Sequence, residues 1–524
     1  MRPVDRHCSR GAPGGAPSHP LLRGGSPPEL ALPPSRVARR APRVARRARP
    51  KGNNINSLLQ YTPNPPSKPQ GPWHLLTECH AAHGDAFTVP VAHKRVTFLI
   101  GPDAAPHFFK ATDDEMSQTE VYNFNVPTFG RGVVYDVDAR TRSEQFRFFT
   151  EALRRDRLKK YVPQFRAEAE AFFKSWPDSG EVDLKDAFSR LIALTAARTL
   201  LGREVREQLF EQVADLLHDL DDGMRPISVF FPYLPTAFHR RRDAARAELG
   251  RIFAKVIRAR RAPGAAKEED VLQQFCDARY SPLVQGGRQL TEDEITGLLI
   301  AVLFAGQHTS SITSAWTGYF MVDSRRHSIE EGKGGAAGSG SRDAYAAAVD
   351  EQRAVLARHG DDLTLEVLGE MDALHRNVTE ALRIHPPLLL VMRYAKKPFS
   401  VTTSQGRTFV VPAGDVVAAS PNFAHVLPGV FSDPLEYDPL RFAPPREEDK
   451  KKPFSFIGFG GGRHACIGQN FAYLQIKTVW SVLLREFEFE MATPVPAADY
   501  DSMVIGPLPA RVRYTRRKLT AAAA

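Results

Sequence analysis

The sequence predicts a mostly α-helical protein with a minor β-sheet. Residues 142–176, 206–221 and 238–260 are amphipathic with the period of a helix. A long apolar stretch from Thr291 to about Phe320 predicts a buried helix, whereas the strand-like segments are short. The 524 residues are 42% hydrophobic and 25% charged. This composition excludes a collagen-like or wholly disordered chain.

The first 65 residues differ from the rest. Residues 1–50 hold 11 arginines, two acidic residues and 10 of the 41 prolines, and carry a charge of +9. We expect residues 1–65 to be disordered, because this composition buries too little apolar surface to fold. A misplaced start of the reading frame or an Arg-rich targeting segment are the alternatives. The rest of the chain carries only +1, so we expect no nucleic-acid partner.

Residues 66–517 form the predicted folded domain, followed by a tail at 518–524. Residues 86–90 and 95–100 alternate as strands do, and short strands and turns return at 396–415. The aromatic loop at 230–235 (FFPYLP) predicts a lid, a membrane-touching element or a packed loop, and the sequence does not choose among them.

The later helices carry clear end signals. Thr291 and Glu294 form a predicted capping box at the start of the long apolar helix. Residues 332–340 contain five glycines and predict a flexible insertion. A helix over 344–359 is expected to end at Gly360, and another follows Cys466 to about Phe487.

The cysteines and the hydropathy indicate the environment in which the protein folds. Cys8, Cys79, Cys276 and Cys466 are far apart, which argues against a disulfide framework and fits a reducing environment. No apolar run of about 18 residues or more occurs, so we expect no membrane-spanning helix.

The sharpest motif is the cysteine loop, residues 459–468 (FGGGRHACIG). Its glycines bring Cys466 to the start of a helix, where free N–H groups and the helix dipole lower the pKa of a thiol. Phe459 can shield the sulfur from water. This is what a thiolate ligand of haem iron requires. An isolated buried structural cysteine is the alternative, and the complete loop argues against it.

Two further patterns accompany the loop. Glu380 and Arg383 share a helix face and, with Arg441, could form a buried charge network that supports the loop. In the long apolar helix, Gly306 interrupts a run of good helix formers and leaves room for a flat ligand. Thr309 could hydrogen-bond dioxygen there, and His308 could relay protons. A packing glycine with a satisfied core histidine is the alternative.

These features, in this order, resemble the cytochrome P-450 superfamily over residues 66–517. Residues 305–310 (AGQHTS) and 122–136 (YNFNVPTFGRGVVYD) are similar to two signatures of its sterol 14α-demethylase family. Residues 144–153 (EQFRFFTEAL) and 471–477 (FAYLQIK) resemble the plant-type members. The resemblance implies the cytochrome P-450 fold, with haem between the long central helix and the helix that follows the cysteine loop.

The resemblance also implies a role for each matching residue. Cys466 is expected to ligate the haem iron, and His308 and Thr309 to serve proton delivery and oxygen activation. Four residues are expected to contact the haem propionates: Tyr122, Tyr135, Arg393 and His464. The expected substrate pocket contains Phe124, Phe129, Ala305, Leu388, Leu390 and Met503. Ser143 stands where some relatives use a basic haem contact, so Arg142 or Arg147 could substitute.

The implied activity is removal of the 14α-methyl group of obtusifoliol-type sterols as formate, by three successive monooxygenations. Phe124 is the position that is typically Phe in members acting on 4α-monomethyl sterols. The implied cofactors are haem b and O2, with electrons from NADPH through a separate diflavin reductase. The family suggests association with the endoplasmic reticulum membrane, although its usual N-terminal anchor helix is replaced here by the Arg/Pro-rich segment. Two alternatives remain at this point: a haem-thiolate monooxygenase for another sterol or lipid, and a non-catalytic haem- or sterol-binding protein.

Overall fold

The computed structural model describes residues 72–91, 93–330, 343–500 and 502–521, without the side chains of 326–330. All of them belong to one compact unit, Ile55–Ala524. The predicted N-terminal segment 1–65 and the predicted insertion 332–340 lie outside the described residues, as do the last three residues of the predicted tail.

Helices dominate the described residues, as predicted. The α-helices are Pro72–His83, Gly101–Phe109, Thr119–Tyr122, Val126–Phe129, Ala139–Ala152, Arg155–Lys174, Leu184–Ala196, Phe210–Asp222, Pro226–Phe230, Ala237–Arg261, Val271–Asp277, Glu292–Glu330, Ala344–His359, Leu365–Gly369, Asp372–Ile384, Pro421–Ala424 and Gln469–Glu486. Two π-helical turns, Ala197–Leu201 and Val205–Leu209, flank Gly202. Short 3₁₀ turns occur at Asn123–Asn125, Val134–Asp136, Gln285–Gly287, Pro439–Phe442, Glu448–Lys450 and Gly462–His464.

The strands form small sheets. The largest has the order Ala86–Val91, Lys94–Leu99, Val416–Ala419, Val391–Ala395, Met116–Ser117, and only its second and third strands pair in parallel. A three-stranded antiparallel sheet has the order Ser179–Val182, Val512–Arg516, Phe487–Met491. Two hairpins pair Phe399–Thr402 with Thr408–Val411, and Ala498–Asp499 with Gly506–Pro507.

The central helix, Glu292–Glu330, organises the core. The predicted capping box starts it: the Glu294 N–H donates to the Thr291 hydroxyl at 3.1 Å, and the Thr291 N–H donates to the Glu294 carboxylate at 2.7 Å. Gly318 allows close packing against the C-terminal helix, Gln469–Glu486, because a Cβ there would lie 2.5 Å from the Trp480 ring. The Trp480 indole N–H donates to the Ser314 carbonyl at 3.2 Å. These contacts fix the two helices that flank the predicted site.

The central helix also bears on the membrane prediction. Its stretch Glu292–Arg325 is long and apolar enough to cross a membrane by length and composition, although no uninterrupted apolar run predicted this. Of its most apolar window, 61% is buried inside the protein, as in the core helix of a globular fold. It is the one such helix among the described residues.

Boundaries account for most differences from the predictions. The pattern at 142–176 is divided into Ala139–Ala152 and Arg155–Lys174, because the chain leaves helical geometry at Arg154. The helix at 344–359 and its end at Gly360 are confirmed. The central helix continues ten residues beyond Phe320, to Glu330.

Candidate active site

The cysteine loop is held by its own backbone and by the helix Gly101–Phe109. The Cys466 N–H donates to the Phe459 carbonyl at 2.9 Å, and the Phe459 ring lies 5.2 Å from that of Tyr473. Gly462 has φ +61°, and a Cβ there would lie 1.9 Å from the Phe109 carbonyl oxygen. Only glycine fits this position without moving the loop.

The predicted effect on the thiol of Cys466 is wrong in its net direction. The N–H groups of Gly468 and Gln469 at the start of the C-terminal helix do lower its pKa, as predicted. Desolvation by the surrounding protein is the larger effect and raises the pKa of the thiol above the usual value, although Cys466 itself is exposed to solvent. The exposed sulfur is accessible to a metal ion, which would favour its thiolate form.

The predicted charge network is present and fully buried. Arg383 binds the Glu380 carboxylate through two N–H groups, at 2.7 and 2.8 Å, and Arg441 binds it at 2.9 Å. Glu448 is a fourth member that the sequence analysis missed, and it lies 3.0 Å from Arg441. Two arginines now face two glutamates, so the buried cluster is neutral, as burial requires.

A cluster of cationic side chains lies beside the cysteine loop. His464 contacts Asp113 at 3.1 Å, and Arg142 contacts the same carboxylate at 3.3 Å. Arg393 is buried, lies with its guanidinium 5.0 Å above the Phe108 ring, and is close enough to Arg142 for each charge to be felt by the other. Two arginines outnumber the single carboxylate, so this cationic cluster suits an anionic partner, although burial and the charge of Arg393 lower the pKa of His464.

Two tyrosines lie against the cationic cluster. The rings of Tyr122 and Tyr135 are 5.2 Å apart, and the Tyr122 hydroxyl accepts from the Met392 N–H at 3.0 Å. Burial raises the pKa of Tyr122 and of Tyr135, although the charge of Arg393 opposes the shift. Both phenols therefore stay protonated and can donate a hydrogen bond.

The choice between the two candidate arginines is settled by position. Arg142 is buried and points into the cationic cluster, where it also donates to the Thr119 hydroxyl at 3.1 Å. Arg147 lies at the surface and pairs with Glu144 and Glu151. Arg142 is therefore the basic group beside Ser143 that could replace the missing contact.

The polar residues of the central helix have defined partners. The Thr309 hydroxyl donates to the Ala305 carbonyl at 2.7 Å. At Gly306 an added Cβ would meet nothing within 4 Å, so the glycine leaves open space rather than serving close packing.

His308 is not a core histidine, since its side chain is 36% exposed. Its Nε2 lies 3.3 Å from the carboxylate of Asp221 on the helix Phe210–Asp222, and this hydrogen bond raises the pKa of His308. Both residues border a cavity of about 100 Å³ between the two helices, whose wall also includes His218 and Gln307. His308 can thus take up protons from solvent beside Asp221.

The predicted pocket residues fall into two groups. Phe124 and Phe129 are buried, and the Phe129 ring packs 6.2 Å from that of Phe304 on the central helix. Ala305, Leu388 and Met503 are exposed and Leu390 is half-buried. The Ile505 N–H donates to the Pro387 carbonyl at 2.8 Å, which brings the segments of Leu388 and Met503 together.

Sequence reasoning missed Asp113, Asp221 and Glu448. Asp113 and Asp221 are acids far along the chain from the basic residues that they pair with, so no local spacing marks them. Glu448 lies only seven residues after Arg441, but the two residues do not share a helix whose spacing would pair them. The charge balance was the available signal for Glu448, because one glutamate cannot neutralise two buried arginines.

Comparison with known proteins identifies the family and the fold. The cytochrome P-450 family model matches residues 50–329 and 341–513, and the chain belongs to that family. The residues between the two matched parts include the predicted insertion. The fold agrees too: the retinoic acid bound cyanobacterial CYP120A1 aligns with a TM-score of 0.68 and 22% identity over 84% of this chain and 93% of its own. The cytochrome P450DA heme domain aligns with a TM-score of 0.71 and 19% identity over 86% of this chain and 94% of its own.

Curated relatives narrow the comparison. The obtusifoliol 14-alpha demethylase of Triticum aestivum is 54% identical over 86% of this chain and 95% of its own length. The sterol 14-demethylase of Arabidopsis thaliana is 53% identical over 89% of this chain and 90% of its own length. The lanosterol 14-alpha demethylase of Mus musculus is 37% identical over 86% of this chain and 84% of its own length. The chain is therefore a haem-thiolate monooxygenase with a cytochrome P-450 fold, as predicted.

Proposed function

We propose that the protein is a sterol 14α-demethylase that removes the 14α-methyl group of obtusifoliol-type sterols as formate. The observation that carries this proposal is the 54% identity to the Triticum aestivum enzyme over nearly its whole length, compared with 37% to the mouse lanosterol enzyme. Phe124, buried beside Tyr122, supports a preference for sterols with one methyl group at C4, because its ring would crowd a second.

The side chains of the site fit haem. Cys466 offers an exposed sulfur just before the helix Gln469–Glu486, and iron bound there would hold it as a thiolate. The positive charges of Arg142 and Arg393, with the His464 ring and the two tyrosine hydroxyls, suit two carboxylates. We assign these residues to the propionates and Phe459 to the shielding of the sulfur. Haem, when bound, supplies the activation of O2 for insertion of oxygen into a C–H bond.

Protons are delivered from the central helix. His308, paired with Asp221, can take up a proton and is the proposed proton donor toward the open space beside Gly306. Thr309 orients its hydroxyl through the Ala305 carbonyl and presents its oxygen to the same space. The charge network of Glu380, Arg383 and Arg441 holds the backbone that supports the cysteine loop.

The sterol is assigned to the space between the two groups of pocket residues. Phe124 and Phe129 supply a buried aromatic wall, and the small side chain of Ala305 leaves room on the central helix. Leu388, Leu390 and Met503 supply apolar surface on the opposite segments. An apolar enclosure of this kind orients a rigid sterol chiefly by shape.

We further propose a diflavin reductase that uses NADPH as the electron donor, and association with the endoplasmic reticulum membrane. The sequence carries no flavin or nicotinamide motif, so electrons must come from another protein. The aromatic loop supports membrane association, because Phe231 and Tyr233 are 53% and 68% exposed. The packed alternative for this loop is thereby disfavoured.

The test of the haem site is spectroscopic and kinetic. The purified chain with haem should give the carbon monoxide difference spectrum of a thiolate-ligated iron, and Cys466→Ser should lose it. Obtusifoliol should stimulate NADPH consumption in the presence of a diflavin reductase and should release formate. A thiolate spectrum without formate from any 14α-methyl sterol would reassign the protein to another lipid.

A further inference from the structure

His425 joins the charge network to the cysteine loop. It follows the short helix Pro421–Ala424 and is completely buried. Its Nδ1 lies 3.0 Å from the Arg383 carbonyl oxygen, and its Nε2 lies 2.7 Å from the backbone nitrogen of Ile457. Because a carbonyl only accepts and an N–H only donates, a neutral ring protonated at Nδ1 satisfies both partners.

The network side of this connection is doubly fixed. The His425 carbonyl accepts from the Arg383 guanidinium at 3.0 Å, while its ring donates to the Arg383 backbone. Arg383 is itself held by the Glu380 carboxylate. Burial and the charge of Arg383 lower the pKa of His425 to about 3, so the ring stays neutral and keeps this tautomer.

On the side of the cysteine loop, backbone hydrogen bonds hold the segment between Ile457 and Cys466. The Ile457 carbonyl accepts from the Gly460 N–H at 2.9 Å, and the Phe459 carbonyl accepts from the Cys466 N–H at 2.9 Å. The ring of Phe456 stacks on His425 at 5.1 Å with an interplanar angle of 6°. One neutral side chain thus spans the distance between a rigid buried ion cluster and the entry to the cysteine loop.

We infer that His425 is a positioning residue for Cys466, acting through the Ile457 N–H that it accepts from. The inference rests on the proposed role of Cys466 as the haem ligand. Ligand-orienting hydrogen bonds beyond the metal ligands commonly change metal affinity by about 10–100-fold. His425 would do this through the backbone, since its ring hydrogen-bonds Ile457, nine residues before the cysteine.

Three substitutions in the full chain separate the two hydrogen bonds. His425→Gln keeps an acceptor near the position of Nε2, and His425→Asn keeps a donor near Nδ1 but cannot reach Ile457. His425→Phe keeps the stacking on Phe456 and neither hydrogen bond. The readouts are the thiolate fraction in the ferrous carbon monoxide spectrum and the rate of haem transfer to apomyoglobin.

We expect His425→Gln to retain the thiolate form. His425→Asn and His425→Phe should convert part of the protein to the thiol-ligated form and lose haem about tenfold faster. The matched control is His385→Phe, which alters a second histidine close to the charge network, at the end of the helix Asp372–Ile384 that carries Arg383. The His385 ring stacks 3.8 Å from Trp316 and has no hydrogen bond to the described part of the cysteine loop. This variant should lose stability and keep the thiolate spectrum.

Equal thiolate fractions and haem release in the Asn, Gln and Phe variants would overturn the inference, whether all match the wild type or all are impaired. A wild-type chain without a thiolate spectrum would instead overturn the assignment of Cys466, and this inference with it. The two failures are therefore distinguished by the wild-type spectrum alone.

Discussion

Single residues decide the protonation and the selectivity of the proposed reaction. His308 owes its raised pKa first to its hydrogen bond with Asp221, and burial opposes that shift. The stabilisation from this pair is fully present below the ordinary pKa of histidine. It is lost as the pH rises through the raised value, because only the charged ring is favoured in the fold.

Asp221→Asn is expected to lower the pKa of His308 toward its ordinary value. The alkaline limb of the pH profile of formate release should therefore move to lower pH, because His308 loses its proton earlier. Asp219→Asn is the matched control, since Asp219 lies on the same helix but faces Arg241. An unchanged alkaline limb in Asp221→Asn would remove His308 from proton delivery.

Phe124→Leu is expected to shift selectivity from obtusifoliol toward lanosterol. Relief of a clash of methyl-group size changes the ratio of kcat/KM by about 10–200-fold at most, so about tenfold is expected. Phe148→Leu provides a control, because Phe148 is equally buried but packs against Tyr280. Equal ratios for wild type and Phe124→Leu would discard Phe124 as the selector.

At the scale of helices and loops, glycines and buried charges determine how closely these elements pack. The helix Gly101–Phe109 approaches the cysteine loop so closely that Gly462 has no room for a Cβ, and its φ of +61° disfavours other residues. Both the close contact with Phe109 and the positive φ predict that a side chain at position 462 would disturb this packing.

Gly462→Ala is expected to cost about 1–3 kcal/mol of backbone strain, before any movement of Phe109. The melting temperature and the haem content should both fall. Gly369→Ala is the control, because a Cβ at Gly369 meets nothing within 4 Å. A haem content that stays at the wild-type level would show that the loop adjusts without effect on the site.

Glu448→Gln tests the neutral charge network. The change leaves two buried arginines with one glutamate, so we expect a loss of about 3–5 kcal/mol in the free energy of unfolding. Its hydrogen bonds hold the pKa of Glu448 at about 2, so its contribution is lost as the pH falls from its usual pKa toward that value. Glu447→Gln, in a surface pair with Lys450, should change stability by less than about 0.5 kcal/mol in urea unfolding. An equally small effect at Glu448 would contradict the network.

At the scale of the whole molecule, the sequence predicted what is local and missed what is distant. The capping box at Thr291 and the end at Gly360 depend on a few neighbouring residues, and both are confirmed. The chain leaves helical geometry at Arg154 with no proline or glycine nearby to mark the break, so the amphipathic pattern did not show it.

The predictions for the site also succeeded for local features and failed for those that depend on the fold. The spacing of Glu380, Arg383 and Arg441 gave the network without Glu448, whose membership depends on the fold. The pKa of Cys466 was predicted in the wrong direction because the sequence shows the helix start but not the protein atoms that desolvate the thiol. Asp221 could not be paired with His308, since 87 positions separate them in the chain.

The most direct measurement is a competition turnover. The full chain would be supplied with haem, a diflavin reductase and NADPH, with obtusifoliol and lanosterol present together. We predict preferential loss of the 14α-methyl group of obtusifoliol, with formate and a product that has a new 14,15 double bond. No demethylation of either sterol, by protein with a normal thiolate spectrum, would contradict the proposed function.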